Sequence, residues 1–194
     1  TDVRVYPGGG PAASVPVVSN VNAPSAAPVP NLVVVRVGPD GTVRLRTSGG
    51  STHLLADVAG YYADDPAGQL FRAVTPRRVL DTRLRLGTSA AVPARLGPGQ
   101  SVVVSAGGGT TVPRLAGAVV LNVTGVTATA RTDVRAYPAT APAVPVVSNL
   151  NLEAGTTAAD LVVAKLGGGR VRLRNNAGTV GLVVDAAGWF GPAG

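Results

Sequence analysis

The sequence predicts an all-β chain of antiparallel β-sandwich or jelly-roll-like repeat modules with very little helix, a barrel or trefoil being the competing architecture. Three observations predict it. The apolar segments are short, Val-rich and often alternate with period two; Gly or Pro interrupts them roughly every 8 to 15 residues; and much of the first third of the chain returns in the last third. No stretch sustains an apolar stripe over three helical turns, and the 16 prolines favour strand edges and loops.

The repeat orders the elements. TDVRVYP (1–7) returns as TDVRAYP (132–138), and VPVVSNVN (15–22) as VPVVSNLN (144–151). LVVVRVG (32–38) returns as LVVAKLG (161–167), VRLR (43–46) as VRLR (171–174), and LLADVAGYY (54–62) as LVVDAAGWF (182–190). Each apolar box reads as a strand. In the VRLR pair, Val43, Leu45, Val171 and Leu173 are predicted to face a core, with Arg44, Arg46, Arg172 and Arg174 facing water. The offset between copies drifts from 131 to 128 residues through gaps in Gly/Pro-rich turns.

Between the copies, residues 71–131 occur once, carrying FRAVTPRRVLDTR, QSVVVSA and AGAVVLNVTGV. The complete module is therefore 71–190, about 120 residues with about eight strands. Residues 1–62 are the second half of another module, with about five strands; 63–70 form a linker around Asp64-Asp65-Pro66-Ala67-Gly68, and 191–194 a tail. A half sandwich leaves an apolar sheet face and an edge open. Either residues preceding Thr1 complete it, or a neighbouring chain does so by strand exchange and the protein self-associates.

Composition excludes several classes. Seventeen Lys plus Arg against ten Asp plus Glu give a net charge of +7, and 45% hydrophobic with 14% charged residues suits a packed core rather than a disordered chain. Without Cys there is no disulfide, thiolate metal site or cysteine nucleophile. The apolar runs are far too short for a transmembrane helix. No signal peptide is visible, and a mature secreted chain would look the same. All basic residues but Lys165 are Arg, which together with abundant Ala, Gly, Val and Pro reads as GC-rich coding bias. These arginines fall in strand ladders and turns with little aromatic interleaving, so the charge does not point to specific nucleic-acid binding. The glycine runs at 8–10, 107–109 and 167–169 lack a following helix and do not read as phosphate loops.

A set of boxes carries a family resemblance: VTPRRVLDTR (74–83), GQSVVVSA (99–106), VPRLAGAVVLNVTGV (112–126), the turn at Tyr137-Pro138, SNLN (148–151) and VVDAAGWF (183–190). Together they resemble a repeated extracellular module of actinobacterial secreted, cell-envelope-associated proteins, some of which carry an N-acetylmuramoyl-L-alanine amidase or other wall-hydrolase domain. The resemblance implies secretion, wall association and catalysis located elsewhere. It implies no catalytic residue or cofactor here.

Candidate site residues are few. The single His53 has Gly181 as its counterpart and no partners at metal-ligand or triad spacing, so it reads as a turn or surface residue. Asp81 and Arg83, two apart on a strand, share a face and read as a structural ion pair; the repeated Asp57 and Asp185 are placed in the same class. With one Glu, Glu153, and nine dispersed Asp, a calcium cage or paired-carboxylate site is not expected. Asn20, Asn22, Asn149 and Asn151 recur as S-N-x-N and are candidate sugar contacts, although such amides more commonly satisfy backbone groups. Trp189 and its counterpart Tyr61 are candidate sugar platforms, against the alternative that the pairs Tyr61-Tyr62 and Trp189-Phe190 close a module end. No cofactor, metal or enzymatic activity is expected. The leading functional reading is a non-catalytic structural or adhesive module; the competing one is a module that binds peptidoglycan or another wall polymer.

Overall fold

The computed structural model describes the chain except for residues 11–14, 25–26, 90, 108, 110 and 193–194. Among the described residues it is all-β, with three antiparallel sheets and helical geometry limited to a 3-10 turn at Thr82–Leu84. The strands are β1 (Asp2–Pro7), β2 (Val21–Asn22), β3 (Val43–Thr47), β4 (Leu70–Asp81), β5 (Ser101–Ser105), β6 (Ala118–Val126), β7 (Thr132–Pro138), β8 (Leu150–Leu152), β9 (Ala158–Lys165), β10 (Arg170–Asn175) and β11 (Gly181–Gly191). Two compact units result, Thr1–Ala56 and Asp57–Gly194. No helix among the described residues is long and apolar enough to cross a membrane.

In the larger unit, two four-stranded sheets run in the orders β5-β10-β7-β8 and β4-β11-β6-β9. Alternate residues of each strand supply a common core. Val102, Val104, Val134, Leu150, Leu152, Val171 and Leu173 come from the first sheet, and Leu80, Val119, Leu121, Val123, Val162, Ala164, Leu182, Val184 and Ala186 from the second. Each of the Val and Leu side chains removed from water contributes about 1.5–3 kcal/mol, most of it offset by the ordering of the chain. Gly125 occupies a position in β6 where a Cβ would overlap the Leu152 side chain, so the residue is small because its neighbour is large.

A bulge changes which residues of β11 face inward. Ala186 and Gly188 take consecutive partners on β6, so Ala187 is an extra residue in the ladder. Before the bulge the even-numbered Leu182, Val184 and Ala186 enter the core; after it Trp189 packs against the core while Phe190 meets Phe71, with ring centroids 5.3 Å apart.

The smaller unit repeats one sheet of the larger. Its strands run β2-β1-β3, the same order as the counterparts β8-β7-β10. Here the structure corrects two expectations. LVVVRVG (32–38) and LLADVAGYY (54–62) form no strands, so the described residues of 1–62 hold three strands rather than about five. In the larger unit β9 pairs with β6, and β11 lies between β4 and β6. Residues 1–62 contain no counterpart of β4 or β6, and a strand without a partner leaves its backbone groups to water. Val43 and Leu45, expected in a core, are exposed, whereas Val171 and Leu173 are fully buried. The pattern is the same in both copies; only the second has an opposing sheet.

The expected linker contains a turn in which Asp65 accepts the backbone N–H of Ala67 and Gly68, and Leu70 already belongs to β4. Of the expected tail, Gly191 is the last residue of β11, and residues 193–194 lie outside the described residues.

Candidate functional site

The polar residues of the repeated and unique boxes converge on backbone groups. At the end of β4, the VLDTR box turns the chain. Leu80 enters the core, and the Asp81 carboxylate, 0% exposed, caps the 3-10 turn by accepting the Arg83 backbone N–H at 3.1 Å. The Arg83 guanidinium folds back on the same carboxylate, Nε to Oδ1 at 3.0 Å and Nη2 to Oδ2 at 2.8 Å. Arg83's side-chain hydrogen bonds hold the Asp81 carboxyl below its usual range, against the opposing effect of burial. Thr82 Oγ1 donates to the Ala94 carbonyl and accepts the Leu182 N–H, fastening the turn to β11. Gly87 closes the segment at φ 68°, where a Cβ would also overlap the Val79 carbonyl.

Asp185 is held by a bidentate contact from Arg78 on the neighbouring β4, Nε to Oδ1 at 2.8 Å and Nη2 to Oδ2 at 3.1 Å. Asp57, placed in the same class from the repeat, is exposed and makes no ion pair among the described residues, which corrects that expectation. Its counterpart's partner comes from β4, and residues 1–62 have no such strand.

The S-N-x-N boxes are structural locks. Asn149 Oδ1 accepts the Ala136 N–H at 2.7 Å and its own N–H donates to the Val134 carbonyl; Asn20 does the same with Val5 and Val3. Each lock includes a charge pair: Arg135 Nε binds Asp133 at 2.7 Å and its Nη1 donates to the Pro145 carbonyl, while Arg4 pairs with Asp2 at 3.0 Å and donates to Pro16. Thus TDVR and VPVVSN recur together because each holds the other. Asp2 is lowered below its usual range first by Ser48 and then by Arg4. Asn151 lies in β8 within 3.4 Å of the Ser148 hydroxyl; Asn22 is exposed in β2, paired in register with Asp2. The two asparagines of a box therefore have different environments and do not form a matched pair of ligand donors.

Trp189 is partly buried against the core, with the Arg72 guanidinium 5.1 Å from its ring centroid, and it sits on the sheet that does not contain Asn151. Phe190 is flanked by Phe71 and, at 6.0 Å, by Tyr62. Tyr61 and His53 are exposed.

Three further kinds of polar anchor hold the sheets and loops. The Asp-Val-Arg pairs obey the same two-apart rule as Asp81 and Arg83, so their signal was present. Asn175 is fully buried and shares two amide hydrogens among the carbonyls of Leu96, Gly97, Ala177 and Gly178, while accepting from Thr132 at 2.8 Å. Arg95 donates to the hydroxyls and carbonyls of Thr127 and Thr179. No local pattern marks these last two, because Arg95 finds all four of its acceptors, and Asn175 its Leu96, Gly97 and Thr132 partners, far along the chain. No family model, no curated protein and no solved structure matches the chain.

Proposed function

We propose that the chain is a non-catalytic extracellular repeat module of an actinobacterial cell-envelope protein, with a structural or adhesive role on the wall. What supports this reading most is that the side chains recurring between the copies, Asp2, Arg4 and Asn20 and again Asp133, Arg135 and Asn149, are spent on holding loops to strands. A signature made of scaffold contacts suits a unit that is repeated for its shape. Net charge of +7 supplies the attraction to anionic wall polymers. A dedicated sugar site built on Trp189 is less well supported, since the core and Arg72 already engage that ring.

The test is cosedimentation of the full chain with purified cell-wall sacculi that retain their anionic polymers. Retention should be saturable, weaken as salt rises, and survive Trp189→Ala. Release of soluble muropeptides, or no retention at low salt, would overturn the proposal. Retention lost specifically in Trp189→Ala would transfer support to the sugar-site reading.

A further inference from the structure

Residues 54–62 repeat the sequence of β11, whose strand interface is visible in the sister copy. In β11 four residues of this box meet a group on β4: Asp185 meets Arg78, Gly188 lies under the Phe71 ring, Trp189 is covered by Arg72, and Phe190 contacts Phe71. All three partners belong to β4. The counterparts keep the matching chemistry, with Asp57 for Asp185, Gly60 for Gly188, Tyr61 for Trp189 and Tyr62 for Phe190. A Cβ added at Gly188 would overlap the Phe71 ring, whereas one at Gly60 would have nothing within 4 Å. Glycine at Gly60 thus keeps the space that an aromatic ring occupies in the sister.

The apolar residues tell the same story. Leu55 and Val58 are each 90% exposed, against 5% and 0% for their counterparts Val183 and Ala186. Val34 and Val37 of residues 32–38, the counterpart of β9, are also exposed, and in the sister that segment pairs with β6. The unfilled positions therefore correspond to β4 and β6 and, beside the counterpart of β10, to β5, which all lie in residues 70–131.

We infer that residues 1–62 are a docking surface for a first-half segment of the 71–131 type, supplied from outside these 194 residues. Its first strand would carry Phe-Arg against Tyr62 and Tyr61, and an arginine against Asp57, in the register of β4 on β11. A second copy of this chain cannot be the donor. Each copy has two second halves and one first half, so exchange between copies uncovers as many cores as it covers. The bound segment orders residues 32–38 and 54–62 into strands and completes a second sandwich.

The experiment joins a copy of residues 70–131 directly ahead of Thr1 of the full chain, as Arg131 is joined to Thr132, and follows hydrogen exchange by mass spectrometry. Exchange in residues 32–38 and 54–62 should slow by at least about tenfold relative to the parent. In the parent, Gly60→Val should leave exchange unchanged; in the joined protein it should abolish the new protection. Three results would overturn the proposal: a joined segment that leaves both stretches unprotected, protection that Gly60→Val does not affect, or a parent chain that light scattering shows as an oligomer with both stretches already protected.

Discussion

Asp81 is buried as a charge because Arg83, only two residues away, gives it three hydrogen bonds and neighbouring Arg78 lies at 3.6 Å. Because its folded pKa is depressed below 3.8, its contribution to stability is fully present above that value and is lost as pH falls through the folded pKa. Asp160 acts in the opposite sense: burial raises its carboxyl, so the stability it costs at neutral pH is relieved on acidification. Urea midpoints should accordingly be flat from neutral pH to about pH 5 and fall below about pH 4. Asp81→Asn should lower the neutral-pH midpoint and flatten the acid decline, whereas Asp160→Asn should raise the midpoint and steepen the decline. Asn175→Ala leaves carbonyls around Leu96 and Ala177 without their donor, and a loss of about 2–3 kcal/mol in urea unfolding is expected.

At the scale of the element, register is set by small residues at close approaches. Gly125 admits Leu152 between the sheets, so Gly125→Val should cost about 1–3 kcal/mol through overpacking, measured by thermal or urea unfolding. The bulge at Ala187 decides that the tryptophan, and not the residue before it, closes the core. Period-two alternation carries through most of β5, β6 and β10, where pairing is regular, whereas in β11 Gly181, Leu182, Val183 and Val184 are all buried and the pairing with β4 shifts at Val184/Asp185 and again at Ala186/Gly188. The repeated Asp-Val-Arg and Asn boxes show a further use of local spacing: a two-apart ion pair on a strand leaves one guanidinium nitrogen free to capture the Pro145 or Pro16 carbonyl of the returning loop.

For the whole molecule, the two units differ in what backs their sheets. The Asp57–Gly194 unit encloses a core between two four-stranded sheets, while the Thr1–Ala56 unit has a single three-stranded sheet with exposed Val43 and Leu45. A small sheet without an opposing layer is marginal. Unfolding should therefore occur in two steps. The single tryptophan, Trp189, belongs to the larger unit, so its fluorescence should report only the later transition, while circular dichroism should register an earlier loss of strand signal. Coincident transitions by the two probes would contradict this division.

The all-β class was legible because alternation and turn residues are local signals, and the internal repeat because it is self-referential. The Asp81 and Arg83 pairing was legible for the same reason, as residues two apart on a strand share a face. Tertiary structure decided the rest. Leu54 and Leu182 head boxes of the same pattern, yet only Leu182 finds β4 and β6 beside it and becomes part of a strand. Asn175, Arg95 and the divergent fates of Asp57 and Asp185 likewise depend on groups that the fold brings from far along the chain. A sequence pattern specifies which face a strand can bury, but hydrogen-bond partners and an opposing sheet determine whether that strand exists.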